Sequence, residues 1–172
     1  MRLSLLPLVA LVGSAFATGD TISTAIDNIS NATIALGHSI THWPQTLVGT
    51  IPITTKSTLL LAAIHQGTLA ARHSEPLSVD ETLQVAKATS ELSQDVSETI
   101  DIVIAAKPKF DKIQVSPVIL LNLQLQRALS ADFSEAVIAK VPVDLQEKAK
   151  ALVQGIDDSF AKAIKKYSSL RG

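Results

Sequence analysis

Cysteine is absent from the whole chain, which excludes disulfides, thiolate metal clusters and a cysteine nucleophile together. Aromatic residues make up only 3% although hydrophobic residues reach 47%. Any core is therefore built from Leu, Ile, Val and Ala, a palette that suits helices better than a β-sandwich. Neither sign of charge dominates: 15 basic against 16 acidic residues leaves no basic excess to attract nucleic acid or an anionic membrane. Beyond residue 17 no apolar run approaches the roughly twenty residues that a bilayer span needs, so no transmembrane segment is expected.

Catalytic signatures are missing as well. There is no G-x-S-x-G, no H-E-x-x-H and no phosphate-binding glycine loop, which sets an unrecognised hydrolase well behind a binding protein and implies no cofactor. Four histidines are scattered along the chain. His38 and His42 stand one helical turn apart, the spacing of a shared metal, but by helical projection they fall opposite the apolar stripe and have no third ligand, so no metal site is expected. The adjacent carboxylates Asp80-Glu81 and Asp157-Asp158 diverge by about 100 degrees on a helix and cannot flank one bond, which makes them surface and helix-start charges.

What is present begins with an export pattern. Met1-Arg2 precedes an apolar run from Leu3 to Val12, and small residues close it at Ala15-Phe16-Ala17. One positive charge, about ten apolar residues and an A-x-A site read as a cleavable signal peptide over 1–17, with the mature domain covering 18–172 from Thr18 onward. About 155 residues suffice for one core without cross-links. The expected location is extracellular.

Proline divides the mature chain at Pro44, Pro52, Pro76, Pro108, Pro117 and Pro142. The stretches between them predict five helices at about 20–43, 53–74, 78–107, 117–140 and 142–169. Ser78-Val79-Asp80-Glu81 is a capping box, and Ser116-Pro117 places proline at a helix start. Lys107-Pro108 is read as the end of the third helix. Apolar stripes run along Ile22, Ile26, Ile29, Leu36 and Ile40 in the first segment, and Leu145, Ala149, Leu152, Ile156, Ala163 and Tyr167 in the last. The second carries Ile53, Leu60 and Ile64, the third Val85, Leu92, Val96 and Val103, and the fourth Val118, Leu121, Leu125 and Leu129. Short connections between long helices predict an all-α, up-down, five-helix antiparallel bundle.

Hydroxyls interrupt these aliphatic stripes. Thr33 accompanies Leu36, Ser57 accompanies Leu60, and Thr89 and Thr99 accompany Leu92 and Val96. Each can bond the carbonyl one turn earlier and fill space. Alternatively, Thr33, Ser57 and Thr89 hold the polar head of an apolar ligand whose tail lies among Leu36, Ile40, Leu60, Ile64, Leu92, Val96, Leu121, Leu125, Leu152 and Ile156. A 22-residue helix is about 33 Å long, and burying about fifteen methylenes yields roughly 12 kcal/mol before association costs. A tunnel along the bundle axis would therefore hold a fatty acid or similar apolar small molecule, and the same pattern is met equally by a filled core. Asn28-Ile29-Ser30 and Asn31-Ala32-Thr33 are N-glycosylation acceptors in an exported chain, and Asn31, opposite the stripe, is the better placed.

The export signal, the five cysteine-free helices and the ending Leu152, Gly155-Ile156-Asp157, Phe160, Ala163-Ile164, Tyr167 together resemble the fungal cell-wall galactomannoproteins, also called hydrophobic surface-binding proteins. The resemblance covers essentially the whole mature chain. It implies a secreted or wall-associated bundle that binds fatty acids centrally, or one that adsorbs to hydrophobic solids and recruits extracellular hydrolases. A structural wall mannoprotein or antigen is a further implied role. The chain departs from the wall-anchored members in having no Ser/Thr-rich stalk or anchor signal, and no ligand contact carries over residue by residue.

Overall fold

The structure, a computed structural model, describes residues 18–169, so the export segment 1–17 lies outside the described residues. Five helices follow in order: α1 (Thr18–Thr41), α2 (Thr50–His73), α3 (Val79–Lys112), α4 (Ser116–Ile138) and α5 (Gln146–Ser168), the last entered through a 3₁₀ turn at Val143–Leu145. The fold class matches the expectation, and four of the five helices lie within a few residues of the expected bounds.

The exception is the end of α3, which runs through Pro108 to Lys112 instead of stopping at Lys107. An internal proline removes one backbone hydrogen bond and crowds the preceding turn, costing about 3 kcal/mol. The next turn offsets that cost by burial. Phe110 is fully buried and stacks on Trp43, with ring centroids 4.6 Å apart. Pro117 occupies the first turn of α4, where the missing N–H costs nothing.

At the start of α3 the capping box forms as read: Glu81 N–H donates to Ser78 Oγ (3.3 Å) and Ser78 N–H donates to Glu81 Oε2 (2.8 Å). The other oxygen of Glu81 accepts the Gly19 N–H of α1 at 3.0 Å. One carboxylate therefore sits at two helix N-termini, where the dipoles favour negative charge. A Cβ on Gly19 would come within 2.7 Å of Glu81 Cβ, so only glycine allows this approach.

Direction alternates along the chain, yet the main lateral contacts are not all between consecutive helices. α1 packs on α2 and α3, α5 on α3 and α4, and α2 on α4. Cross-links fix the senses: Gly19 to Glu81 and Thr33 to Thr99 rise together along α1 and α3. Ser57 to Gln126 and Ser74 to Lys140 do so along α2 and α4. Asp101 to Lys162 and Val103 to Tyr167 do so along α3 and α5. Three helices of one direction (α1, α3, α5) thus face two of the other (α2, α4). The contacts close into a ring α1–α2–α4–α5–α3 around a common interior.

The stripes of the first three helices are buried as their periodicity predicts: Ile22, Ile26, Ile29, Leu36 and Ile40; Ile53, Leu60 and Ile64; Val85, Leu92, Val96 and Val103. In α5, Ile156, Ala163 and Tyr167 are buried while Leu145, Ala149 and Leu152 are half-buried. Tyr167 donates its hydroxyl to Val103 O at 2.7 Å. Burial, with the Asp111 charge adding, pushes its phenol well above the usual range.

The stripe expected for α4 is corrected. Val118, Leu121 and Leu125 are 55%, 64% and 45% exposed, and the buried seam instead runs through Leu123, Gln126, Phe133 and Val137. Gln126 on that seam and half-buried Ser130 beside it are polar, so aliphatic spacing alone points to the wrong face.

Candidate functional site: an apolar slot at the centre of the ring

All five helices line one internal slot of about 50 Å³, small beside the usual range for small-molecule pockets, so a long ligand has to part its walls. It is a narrow slot between side chains. Its walls are mainly aliphatic, with Phe133 and Phe160 as the aromatic surfaces, and no charged side chain lines it.

Six of the ten aliphatic candidates lie on the slot: Leu36 from α1, Leu60 and Ile64 from α2, Leu92 and Val96 from α3, and Ile156 from α5. Ile40 is buried in the core beyond it. Leu152 lines a neighbouring outer groove beside Lys148. Leu121 and Leu125, on the exposed face of α4, do not reach it.

Among the polar candidates, Thr33 and Thr89 line the slot, but their hydroxyls donate to Ile29 O and Val85 O, both at 2.8 Å. Such back-bonding satisfies the oxygen within its own helix. Ser57 is buried behind the wall. It accepts a hydrogen bond from Gln126 Nε2 (3.1 Å) and donates to Asn122 Oδ1 (3.0 Å).

Sequence reasoning missed Gln126, Ser130 and Ser134 on α4. Gln126 is 4% exposed and lines the slot together with both serines. The signal was available: Leu123, Gln126, Ser130, Phe133 and Val137 follow the 3-4-3-4 spacing of a helix seam. Thr99, noted as an intruding hydroxyl but not assigned a role, also lines the slot and donates to Thr33 O at 3.2 Å.

A second recess, of about 180 Å³, opens between α4 and α5. It shares Ser130, Ser134, Val153, Ile156 and Phe160 with the slot. Arg127 of α4 and Asp157 of α5 flank it in a two-pronged ion pair, at 2.6 and 2.8 Å. Hydrogen bonding to the guanidinium holds the Asp157 carboxyl below the usual carboxylate range, and the same bond raises Arg127.

Outside the interior, Asn28 and Asn31 are exposed on α1. His38 and His42 are exposed and stack on each other at 4.5 Å. Among the described residues no three His, Asp or Glu side chains gather as a metal site, and no helix is long and apolar enough to cross a membrane.

The geometry agrees with known proteins at two levels. In fold, the chain superposes on Afmp4p in complex with palmitic acid with a TM-score of 0.84 at 22% identity, covering 87% of this chain and 99% of that one. It superposes on ligand binding domain 1 of Penicillium marneffei MP1, complexed with arachidonic acids, with a TM-score of 0.83 at 21% identity, covering 88% and 99%. In sequence it is 28% identical to cell wall mannoprotein 1 of Aspergillus flavus over 99% of its length, and 27% identical to that of Aspergillus fumigatus over 97%. It spans 64% and 60% of those two relatives. The family model described as hydrophobic surface binding protein A matches residues 19–139. The chain belongs to the hydrophobic surface binding protein A family, with fungal cell wall mannoproteins among its relatives.

Proposed function

We propose that this protein is an exported, non-enzymatic binding module, extracellular or at the cell wall, that takes a fatty acid or similar apolar small molecule into the slot between its helices. The observation that carries this reading is the closed ring of five helices around an uncharged slot, a space the core leaves unfilled. The palmitic and arachidonic acids bound by proteins of the same fold support the choice of ligand class. Leu36, Leu60, Ile64, Leu92, Val96 and Ile156 hold the tail. Native mass spectrometry of delipidated protein, with and without palmitate or arachidonate, tests the reading. A one-to-one adduct and a raised melting temperature are expected, and a clean apo mass with no thermal shift would sink it.

A second reading is favoured by a different observation. Around the connection from α1 to α2, Leu47, Val48 and Ile51 are 64%, 74% and 62% exposed. Three large aliphatic side chains at one end of a bundle suit adsorption to a hydrophobic solid, to which an extracellular hydrolase is then recruited. Depletion of the protein from solution by polyester beads checks this, and replacing all three residues with serine should abolish it. Retention of the triple variant on the beads would refute the assignment to this end.

A further inference from the structure

We propose that the cleft between α4 and α5 is the mouth of the slot, and that Arg127 holds the carboxylate of a bound fatty acid there in exchange for Asp157. The proposal deepens the fatty-acid reading above and rests on it. Its starting point is a mismatch inside the cavity. A fatty acid carries a carboxylate at neutral pH, yet no charged residue lines the slot. Burying an unpaired carboxylate costs far more than a hydrogen-bonded hydroxyl recovers. The tail therefore goes inward, and the head stays where a cation and water can meet it.

Only some openings of the ring offer such a place. The recess between α4 and α5 joins the slot through a shared wall of five residues and carries a guanidinium at its outer side. Arg127, Ser130 and Ser134 follow one face of α4 at spacings of three and four, a row leading from the rim toward the interior. Among the described residues neither serine hydroxyl has a protein hydrogen-bond partner, although Thr33 and Thr89 on the far walls are satisfied. Both remain free to donate to a ligand oxygen.

Asp157 supplies the reversible part. Arg127 and Asp157 are 40% and 41% exposed at the side chain, so their pairing is of the surface kind that is readily exchanged. A fatty carboxylate offers the same two-oxygen geometry as Asp157, and the planar guanidinium suits either partner. Asp157 and the exposed Glu135 are the acidic groups facing the recess, with Asp157 alone in contact with the guanidinium.

The test compares palmitate with hexadecanol, which shares the tail and lacks the charge, on delipidated wild-type, Arg127→Leu, Asp157→Asn and, as a control on a distant ion pair, Lys162→Ala protein. Titration calorimetry or native mass spectrometry reads the affinities. Arg127→Leu should weaken palmitate about ten-fold or more and leave hexadecanol within about two-fold. Asp157→Asn, which removes the competitor, should tighten palmitate several-fold, and Lys162→Ala should change neither ligand. Equal losses for acid and alcohol in Arg127→Leu, or no loss for either, would overturn the assignment of the mouth while leaving fatty-acid binding intact. Wild-type protein that binds neither ligand would sink both proposals.

Discussion

Replacing Val96 with phenylalanine separates a slot from a solid core by the sign of its effect. Val96 lies midway along α3, is 6% exposed and faces the central cavity. In a close-packed interior the added ring forces its neighbours off their rotamers, at a cost of about 1–3 kcal/mol. Here the ring has unfilled space to enter, with Phe133 and Phe160 on the same walls. Additional apolar burial contributes about 0.8 kcal/mol per methylene, offset by lost side-chain freedom, so Val96→Phe should leave stability unchanged or raise it by about 1 kcal/mol. The control is Ala163→Val, at a position that is 0% exposed and does not line the cavity, where the close-packed cost of about 1–3 kcal/mol applies. Urea unfolding followed by circular dichroism compares the two, and native mass spectrometry follows palmitate uptake. Uptake should fall in Val96→Phe because the ring fills the tail site. Val96→Phe that is as destabilised as Ala163→Val, with undiminished uptake, would refute the cavity argument.

Other expectations follow from single contacts. Phe110→Ala should cost about 3–5 kcal/mol, because a fully buried ring is lost along with its stacking on Trp43; the fluorescence of Trp43, the one tryptophan in the chain, reports both the urea midpoint and the loosening of its surroundings. Glu81→Ala should cost about 1–2 kcal/mol by stripping the N-terminal amides of α1 and α3 of a shared acceptor, and Glu81→Gln, which keeps an acceptor oxygen, less than half of that by thermal denaturation. Asp157 has a folded pKa lowered by Arg127, so its contribution is fully present above the unfolded carboxylate value near 4 and is lost as pH falls through the folded one. With both partners about 40% exposed, that contribution is at most about 1 kcal/mol. Denaturation curves between about pH 5 and pH 2 should therefore be slightly steeper in pH for wild type than for Asp157→Asn, and identical slopes would show that the pair adds nothing to the apo fold.

The parts legible in the sequence were those carried by a single physical signal. Proline spacing and 3.6-residue periodicity gave the helices and the buried stripes of α1, α2 and α3, because in those helices aliphatic residues alone make the seam. Pro108 misled for a definable reason. The local cost of proline is readable, whereas the stacking of Phe110 on Trp43 joins residues 67 positions apart and no window contains both. The face of α4 misled for the opposite reason: exposed Leu121 and Leu125 are more hydrophobic than buried Gln126 and half-buried Ser130, so hydrophobicity pointed away from the interior. A seam that keeps polar residues despite available leucines is costly in a plain core, and this conflict between pattern and burial falls at the cavity wall.

The joints of the ring differ in a way that bears on how a slot without cross-links can open. Between α1 and α3, Gly37 admits Thr99 so closely that a Cβ would sit 3.0 Å from its Oγ1, and Thr99 bonds Thr33 O across the interface. Ser30 also donates to Asp95 there, and Glu81 ties the ends. Between α3 and α5, buried Tyr167 donates to Val103 O. Parting either joint strands buried polar groups, which costs about 1–3 kcal/mol for each. Between α4 and α5, by contrast, the polar tie is the exposed Arg127–Asp157 pair, whose charges meet water on separation, beside small serines that interlock little. Of these three joints the one that parts at lowest cost is therefore α4–α5, the same edge at which the slot adjoins the outer recess. Slower hydrogen exchange of α4 and α5 amides on palmitate binding, with α1 and α3 unchanged, is the expected signature. Uniform protection across all five helices would show that the ring opens as a unit instead.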